Sequence, residues 1–379
     1  MIRQVYAGAA VFDGDTLRHG HALVVENGRV AAILPKSEAG GGERLAGGVL
    51  APGFIDLQVN GGDGIMLDVA AGVEGIARIC AAHARLGTLG LLPTLITDTR
   101  EATRAVIEAG VAAAVAGVPG FLGLHLEGPH LDPRRKGAHD PGLIRPMEAE
   151  DLAGLVDAAA RLPALMVTLA AEAATPGQIA ALAGAGAIVS LGHSGCGIAE
   201  ARGAFDAGVR AVTHLFNAMS PLGHREPGLV GAALDAGPVS AGLIADGVHV
   251  APEAMRVALE AKRGPGRMFL VTDAMAPAGT DLAEFTLGGR RILRAGGRLT
   301  LEDGTLAGAD CDMAQCLRVV VGDVGIELAE ALRMVTTYPG AVIGLDGPRL
   351  RPGAPADFVH LDDALELTAV WRGGVRVVS

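Results

Sequence analysis

The chain reads as an α/β protein: a (β/α)8 TIM-type barrel with a small β-sandwich domain formed by both chain termini. Three observations predict this. Eight short apolar runs recur through the middle of the chain, separated for the most part by Ala-rich segments of helical character. The runs are continuously apolar rather than alternating, as strands covered on both faces by helices should be. Several of them stop abruptly on an ionisable residue, which suits the C-terminal face of a barrel, where active sites are built. A doubly wound open sheet is the competing arrangement, and the strand count together with the polar strand ends favours the barrel.

Residues 1–48 form the first half of the expected β domain. Short Val/Ala/Leu runs are punctuated by turns at Asp13-Gly14-Asp15 and Glu26-Asn27-Gly28-Arg29. Residues 348–379 supply the second half, with a turn at Pro352-Gly353, a strand over 357–361 and a hairpin over 368–378. Neither piece could stand alone, and chain termini commonly lie close together. Residues 49–347 hold the barrel. Its expected strands are Val49–Val59, Leu89–Ile96, Phe121–Glu127, Ala164–Ala170, Ala187–His193, Ala211–Leu215, Ser240–Asp246 and Met268–Asp273. Expected helices are Val73–Leu86, Glu101–Ala116, Ala149–Ala160, Pro176–Ala183, Ile198–Ala207 and Ala251–Ala261. Tight Gly-containing turns at Leu287-Gly288-Gly289-Arg290 and Ala295-Gly296-Gly297-Arg298 mark a β insertion over about 285–306, above the barrel mouth. Helices over Met313–Val321 and Glu327–Thr336 follow.

Composition excludes several function classes. With 379 residues, 50% apolar and only 19% charged, the chain has ample material for a large core and is far from a disordered composition. A net charge of −11 argues against nucleic acid as a partner. No uncharged run is long enough to span a bilayer, and the N-terminus lacks the apolar segment of a signal peptide, so a cytoplasmic location is expected. Cys80, Cys196, Cys311 and Cys316 show no CxxC spacing and read as reduced, buried thiols.

The chemistry concentrates at strand ends. In Gly123-Leu-His-Leu-Glu-Gly-Pro-His130, a buried strand ends on Glu127. His193, His214 and Asp273 end three later runs in the same way. A buried carboxylate must be paired, hydrogen-bonded or metal-bound, because a bare charge there is too costly. Any one of these histidines alone would read as a core residue. Together, one carboxylate and two imidazoles suit a Zn2+ or Fe2+ site that keeps a position open for water.

The chain resembles the N-acetylglucosamine-6-phosphate deacetylases, a branch of the amidohydrolase superfamily. The carrying stretches are Ala51-Pro-Gly-Phe-Ile-Asp-Leu-Gln58, Gly123–Pro129, Lys136-Gly-Ala-His139, Gly192-His-Ser194, Thr213-His-Leu-Phe-Asn-Ala-Met219, Arg225-Glu-Pro-Gly228, Ala245-Asp-Gly-Val-His249 and Val271-Thr-Asp-Ala-Met275. They fall in the family's order along nearly the whole chain. The resemblance implies hydrolysis of the N-acetyl group of N-acetyl-D-glucosamine 6-phosphate. It makes Glu127, His193 and His214 the ligands of one divalent metal, Zn2+ first and Fe2+ or another ion second. It makes Asp273 the catalytic acid/base and sets His139 against the acetyl carbonyl. Ala138, His139, Asn217, Ala218, Arg225, His249, Leu306, Ala307 and Gly308 match substrate contacts. The fixed charge of Arg225 suits the 6-phosphate, and in resembling enzymes this arginine reaches the neighbouring site of a homodimer.

Two departures from the family pattern stand out. Where many amidohydrolases carry a His-x-His pair that supports a second metal, this chain has Gln58 and Asn60, whose amides are poor ligands, so a single metal is expected. His130 stands where the pattern has an aromatic residue and reads as a planar packing substitute, with a role as an extra ligand or pocket donor left open. Alternative readings are an amidohydrolase acting on another amide, such as N-acetylgalactosamine 6-phosphate or a cyclic amide, and an inactive scaffold of the same fold.

Overall fold

A computed structural model describes residues 2–377. Eight parallel strands form the central sheet in chain order: β1 (Phe54–Val59), β2 (Thr88–Ile96), β3 (Leu124–Glu127), β4 (Leu165–Leu169), β5 (Ile188–Leu191), β6 (Ala211–Val212), β7 (Ser240–Leu243) and β8 (Met268–Leu270). Closure comes just past the last strand. Val59 bridges Ala274 in parallel, the Asp273 amide donates to the Gln58 carbonyl at 3.0 Å, and the Asn60 amide donates to the Ala274 carbonyl at 2.8 Å. The sheet is therefore a barrel, and the seam that closes it carries Asp273 on one side and Gln58 and Asn60 on the other.

Helices wrap the outside: α1 (Gly72–Arg85), α2 (Arg100–Val115), α3 (Ala149–Arg161), α4 (Pro176–Gly184), α5 (Ile198–Ala207), α6 (Gly228–Asp235) and α7 (Pro252–Ala261). In α1, Ile76, Ile79, Cys80 and His83 recur at helical spacing and are all buried against the strands. Thr175 caps α4 by accepting from the Gln178 amide, and Pro176 opens it at a position whose N–H would have no partner. Helix α6 is absent from the sequence expectation. Its residues Gly228–Leu234 are all buried, so it has no polar face and hence no amphipathic period to read.

The run Val49–Val59, expected as one barrel strand, is two. Pro52-Gly53 breaks it, and Val49–Pro52 pairs with Ala10–Phe12 in parallel and with Phe358–Leu361 antiparallel. It thus lies in a six-stranded sheet that joins both ends of the chain, beyond the expected limit at residue 48. A four-stranded sheet containing Arg3–Ala7 and His21–Glu26 covers this one. Tyr6, Leu23, Leu50, Phe358 and Trp371 fill the space between, with Phe358 stacked on Trp371 at 4.6 Å.

The expected insertion is a four-stranded antiparallel sheet, Glu284–Leu287, Arg290–Ala295, Arg298–Thr300 and Leu306–Ala309. Its last strand is tied to the barrel seam: Ala309 bridges Ala274, and its amide donates to the Asp273 carbonyl at 3.1 Å. Leu306 and Gly308 are thereby held over the barrel mouth. All four cysteines are free and buried. Among the described residues, no helix is long and apolar enough to cross a membrane.

Candidate active site

Three of the four strand-end side chains leave through backbone that ordinary residues avoid. His193, His214 and Asp273 have φ of +48°, +30° and +54°. Such left-handed conformations cost on the order of 1–3 kcal/mol each and persist where the surroundings over-determine them. The reversal aims all three side chains at the barrel axis instead of along the strand. Glu127 needs a different device. Gly128 follows it with φ of +85°, and a Cβ there would lie 2.2 Å from the Thr97 hydroxyl, so no larger residue fits beside the carboxylate.

The four groups converge. The Glu127 Oε1 lies 2.9 Å from His214 Nε2 and 3.2 Å from His193 Nε2, and the two Nε2 atoms are 3.1 Å apart. Glu127, His193 and His214 are all nearly inaccessible to solvent. His193 Nδ1 donates to the Arg135 carbonyl at 2.8 Å, which leaves a lone pair on Nε2 facing the cluster. A carboxylate oxygen and imidazole nitrogens crowded lone pair to lone pair repel one another unless a cation sits among them. Among the described residues, only Asn60 Oδ1 and His214 Nδ1 are buried polar side-chain atoms without a partner, and both belong to this site. The donor set fits a divalent ion.

His139 belongs to the same cluster, its ligand atom and those of Glu127 and His193 all lying within 4.8 Å of one another. Its protonation separates it from Glu127, His193 and His214. His139 Nδ1 accepts from the Thr97 amide at 3.3 Å and lies 2.7 Å from the Thr97 hydroxyl. Its proton therefore sits on Nε2, which points into the cavity as a donor, 3.8 Å from Glu127 Oε2. Burial, followed by the neighbouring His193, pushes His139 down to about 3, so the ring is neutral.

Charges in the cluster are set by competing effects. Burial by itself would raise Glu127, but the His193 and His214 rings beside it hold it well below the usual carboxylate range. Burial opposes a charge on His214, and the adjacent Glu127 carboxylate overcomes it and raises the group. Asp273 is pushed up to about 6 by burial and then by the charge of Glu127. This is the range in which a carboxyl group can both take and return a proton near neutral pH.

Gln58 and Asn60 do more than fail as ligands. The Gln58 amide donates to both Glu127 Oε1 and Asp273 Oδ1 at 3.1 Å, and Asn60 Nδ2 donates to Asp273 Oδ1 at 2.6 Å. Two carboxylates of like charge are held near one another by the Gln58 amide between them, with Asn60 adding a second donor to Asp273. Sequence reasoning found the absence of ligands here and missed this donor role. It also missed Thr97, which sets the tautomer of His139, and Asp246, whose carboxylate holds His249 Nδ1 at 2.6 Å. Both had a readable signal, since each is a polar residue at or just past the end of an apolar run.

A cavity of about 240 Å3 opens above these groups, lined by Ala138, His139, Asn217, Ala218, His249, Leu306 and Gly308 among others. Ala307 is buried in the insertion's own small core and does not line it. Arg225 does not line it either; it is exposed on the loop after β6. His130 faces away, its Nδ1 bonded to the Arg145 carbonyl at 3.2 Å, and lines a separate cavity between α2 and α3.

The amidohydrolase family model matches residues 49–377. The chain belongs to the amidohydrolase family. It is 40% identical over 334 residues to the N-acetylgalactosamine-6-phosphate deacetylase of Shewanella sp. strain ANA-3, covering 87% of this chain and 84% of that one. It is 37% identical over 348 residues to the human N-acetylglucosamine-6-phosphate deacetylase, with the same two coverages, 87% and 84%. The crystal structure of N-acetylglucosamine-6-phosphate deacetylase from Pasteurella multocida superposes with a TM-score of 0.93 at 32% identity over 99% of both chains. A mutant of the Mycobacterium smegmatis enzyme, in complex with N-acetyl-D-glucosamine-6-phosphate, superposes with a TM-score of 0.92 at 33% identity over the full length of both. The resemblance read from the motifs and the barrel architecture both stand.

Proposed function

We propose that this amidohydrolase removes the N-acetyl group of N-acetyl-D-glucosamine 6-phosphate, giving D-glucosamine 6-phosphate and acetate. The observation that carries the reading is the pairing of two protonation states across one cavity. Asp273 is a carboxylate held on its Oδ1 by Gln58 and Asn60, and His139 is a neutral imidazole with its proton on Nε2.

Glu127, His193 and His214 would hold one divalent ion, with Zn2+ suited to the nitrogen and oxygen donors and Fe2+ as the alternative. When bound, such an ion supplies positive charge that makes water more acidic and a carbonyl more electrophilic. The chain's own groups do the rest. Asp273 takes a proton from the attacking water and returns it to the nitrogen, because an amide anion is too poor a leaving group. His139 donates from Nε2 to the acyl oxygen as negative charge grows there. Asn217, Ala218 and His249 bound the space for the sugar, with Leu306 and Gly308 closing over it. Ala307 contributes by packing behind them. Arg225 is exposed and makes no ion pair among the described residues, which supports its serving the phosphate in the neighbouring site of a homodimer.

A second reading, N-acetylgalactosamine 6-phosphate, is favoured by the 40% identical relative that carries that name. The two sugars differ at one hydroxyl. The test is acetate release from both phosphosugars by enzyme loaded with Zn2+, compared with chelator-treated enzyme. Preference for the gluco substrate supports the proposal and preference for the galacto epimer replaces it. No acetate from either would leave an inactive scaffold or another amide.

A further inference from the structure

We infer that the acyl specificity of this enzyme is broad, and that it also cleaves N-acyl groups several carbons longer than acetyl. The inference rests on the deacetylase reading above and extends it to a second space in the molecule.

The strands stand in chain order around the barrel, so β2 lies opposite β6. Asn217 and Ala218 come just after β6 and His249 after β7, which assigns that side of the cavity to the sugar. A trans amide sets its acyl carbon chain opposite the sugar carbon on its nitrogen, so with the sugar on the β6 and β7 side the chain points toward β2, beside His139, which is held against Thr97 just past that strand. The wall there consists of Ile96, the last residue of β2, and Leu287 of the insertion. Both side chains also line a second cavity, of about 700 Å3, on their far side. Its lining is mixed: Met66 and Phe285 pack against the same small core as Leu287, and Arg78, Asp98, Asp140 and Arg290 are among its charged residues. A wall made of two aliphatic side chains gives way far more readily than one made of backbone. An unbranched acyl chain can therefore pass between Ile96 and Leu287 and bury its methylenes against Met66 and Phe285.

The reaction is unchanged for such substrates. The water oxygen bonds to the acyl carbon, the carbon–nitrogen bond breaks, the nitrogen takes up the proton, and a short-chain carboxylate leaves with the amino sugar phosphate. Each methylene buried on apolar surface favours binding by roughly fourfold, which offsets the displacement of the wall.

The experiment compares N-acetyl-, N-butyryl- and N-hexanoylglucosamine 6-phosphate on the metal-loaded enzyme. It also uses Thr286→Trp, an exposed position lining only the second cavity, and Ile96→Ala. The wild type should cleave the longer substrates with kcat/KM within about tenfold of acetyl. Thr286→Trp should cut the hexanoyl rate at least about tenfold and leave the acetyl rate within about twofold, while Ile96→Ala should raise the hexanoyl-to-acetyl ratio. Normal acetyl turnover with hexanoyl more than about a thousandfold slower would overturn the inference alone. So would hexanoyl cleavage that neither variant alters, since the chain would then lie elsewhere. Failure on the acetyl compound itself would sink the proposed function, and this inference with it.

Discussion

Replacing Asp273 by Asn separates its chemistry from its architecture. Asp273 Oδ1 accepts from Asn60 Nδ2 at 2.6 Å and from Gln58 Nε2 at 3.1 Å. An asparagine carbonyl oxygen in the same place accepts both bonds, so the seam between β1 and β8 should survive. The variant also removes a carboxylate that is unfavourable there, since burial and Glu127 push Asp273 up to about 6. Thermal stability should therefore be equal to the wild type or slightly higher. Turnover should collapse, because an amide can neither take the proton from water nor return it to nitrogen. General acid–base catalysis contributes about 10²–10⁴-fold, or about 2.7–5.5 kcal/mol of barrier. The assay is acetate release at saturating substrate, run beside a melting curve and elemental analysis. Retention of more than about a tenth of wild-type turnover would mean that the proton is handled elsewhere. Loss of the metal together with activity would show that Asp273 holds the ion, and would refute its separation from Glu127, His193 and His214.

Four further outcomes are expected. Elemental analysis of enzyme purified without chelator should give one divalent ion per chain, because Gln58 and Asn60 turn amide donors toward the carboxylates; two equivalents at full activity would contradict this. Arg225→Ala should raise KM for the phosphorylated substrate by roughly 10–150-fold, the worth of a charge-assisted contact, with little effect on non-phosphorylated N-acetylglucosamine. Mixing Arg225→Ala with Asp273→Asn chains should restore part of the activity if sites are shared; a monomer by light scattering, or no recovery after proven subunit exchange, removes the shared site. The last concerns acid stability. Burial by itself would raise Asp151, but Arg100 (2.8 Å), the Glu148 amide and Arg145 (3.0 Å) hold it well below its ordinary value. Its folded-state pKa is depressed, so its contribution is present above the unfolded value near 3.8 and fades as pH falls through the folded one. Asp151→Asn should lose roughly 1.5–3 kcal/mol in urea unfolding at pH 7, and a smaller difference as the pH is taken below about 3; an equal loss at both would place the effect in packing.

What local sequence could reveal was whatever is written locally. Continuous apolar runs ending on Glu127, His193, His214 and Asp273 announced a parallel sheet with a chemical face, because burial on both sides demands apolar residues throughout and a strand end is where a polar one is tolerated. Three features escaped for the same reason in reverse. Helix α6 is buried all round and has no period. Val49–Pro52 is as apolar as a barrel strand, and only its partner Phe358–Leu361, some 300 residues away, draws it into the terminal sheet. Gln58 and Asn60 are unremarkable amides until barrel closure sets them against Asp273. The family resemblance named Glu127 and His214 as candidate ligands, but they are 87 residues apart and meet only because eight strands close on one axis. The proton on His139 Nε2 depends on Thr97, a residue 42 positions away. The wall of Ile96 and Leu287, with open space behind it, exists only once the insertion folds back over β2. Strand identity is a property of short stretches of chain, and convergence, tautomer and cavity belong to the closed barrel.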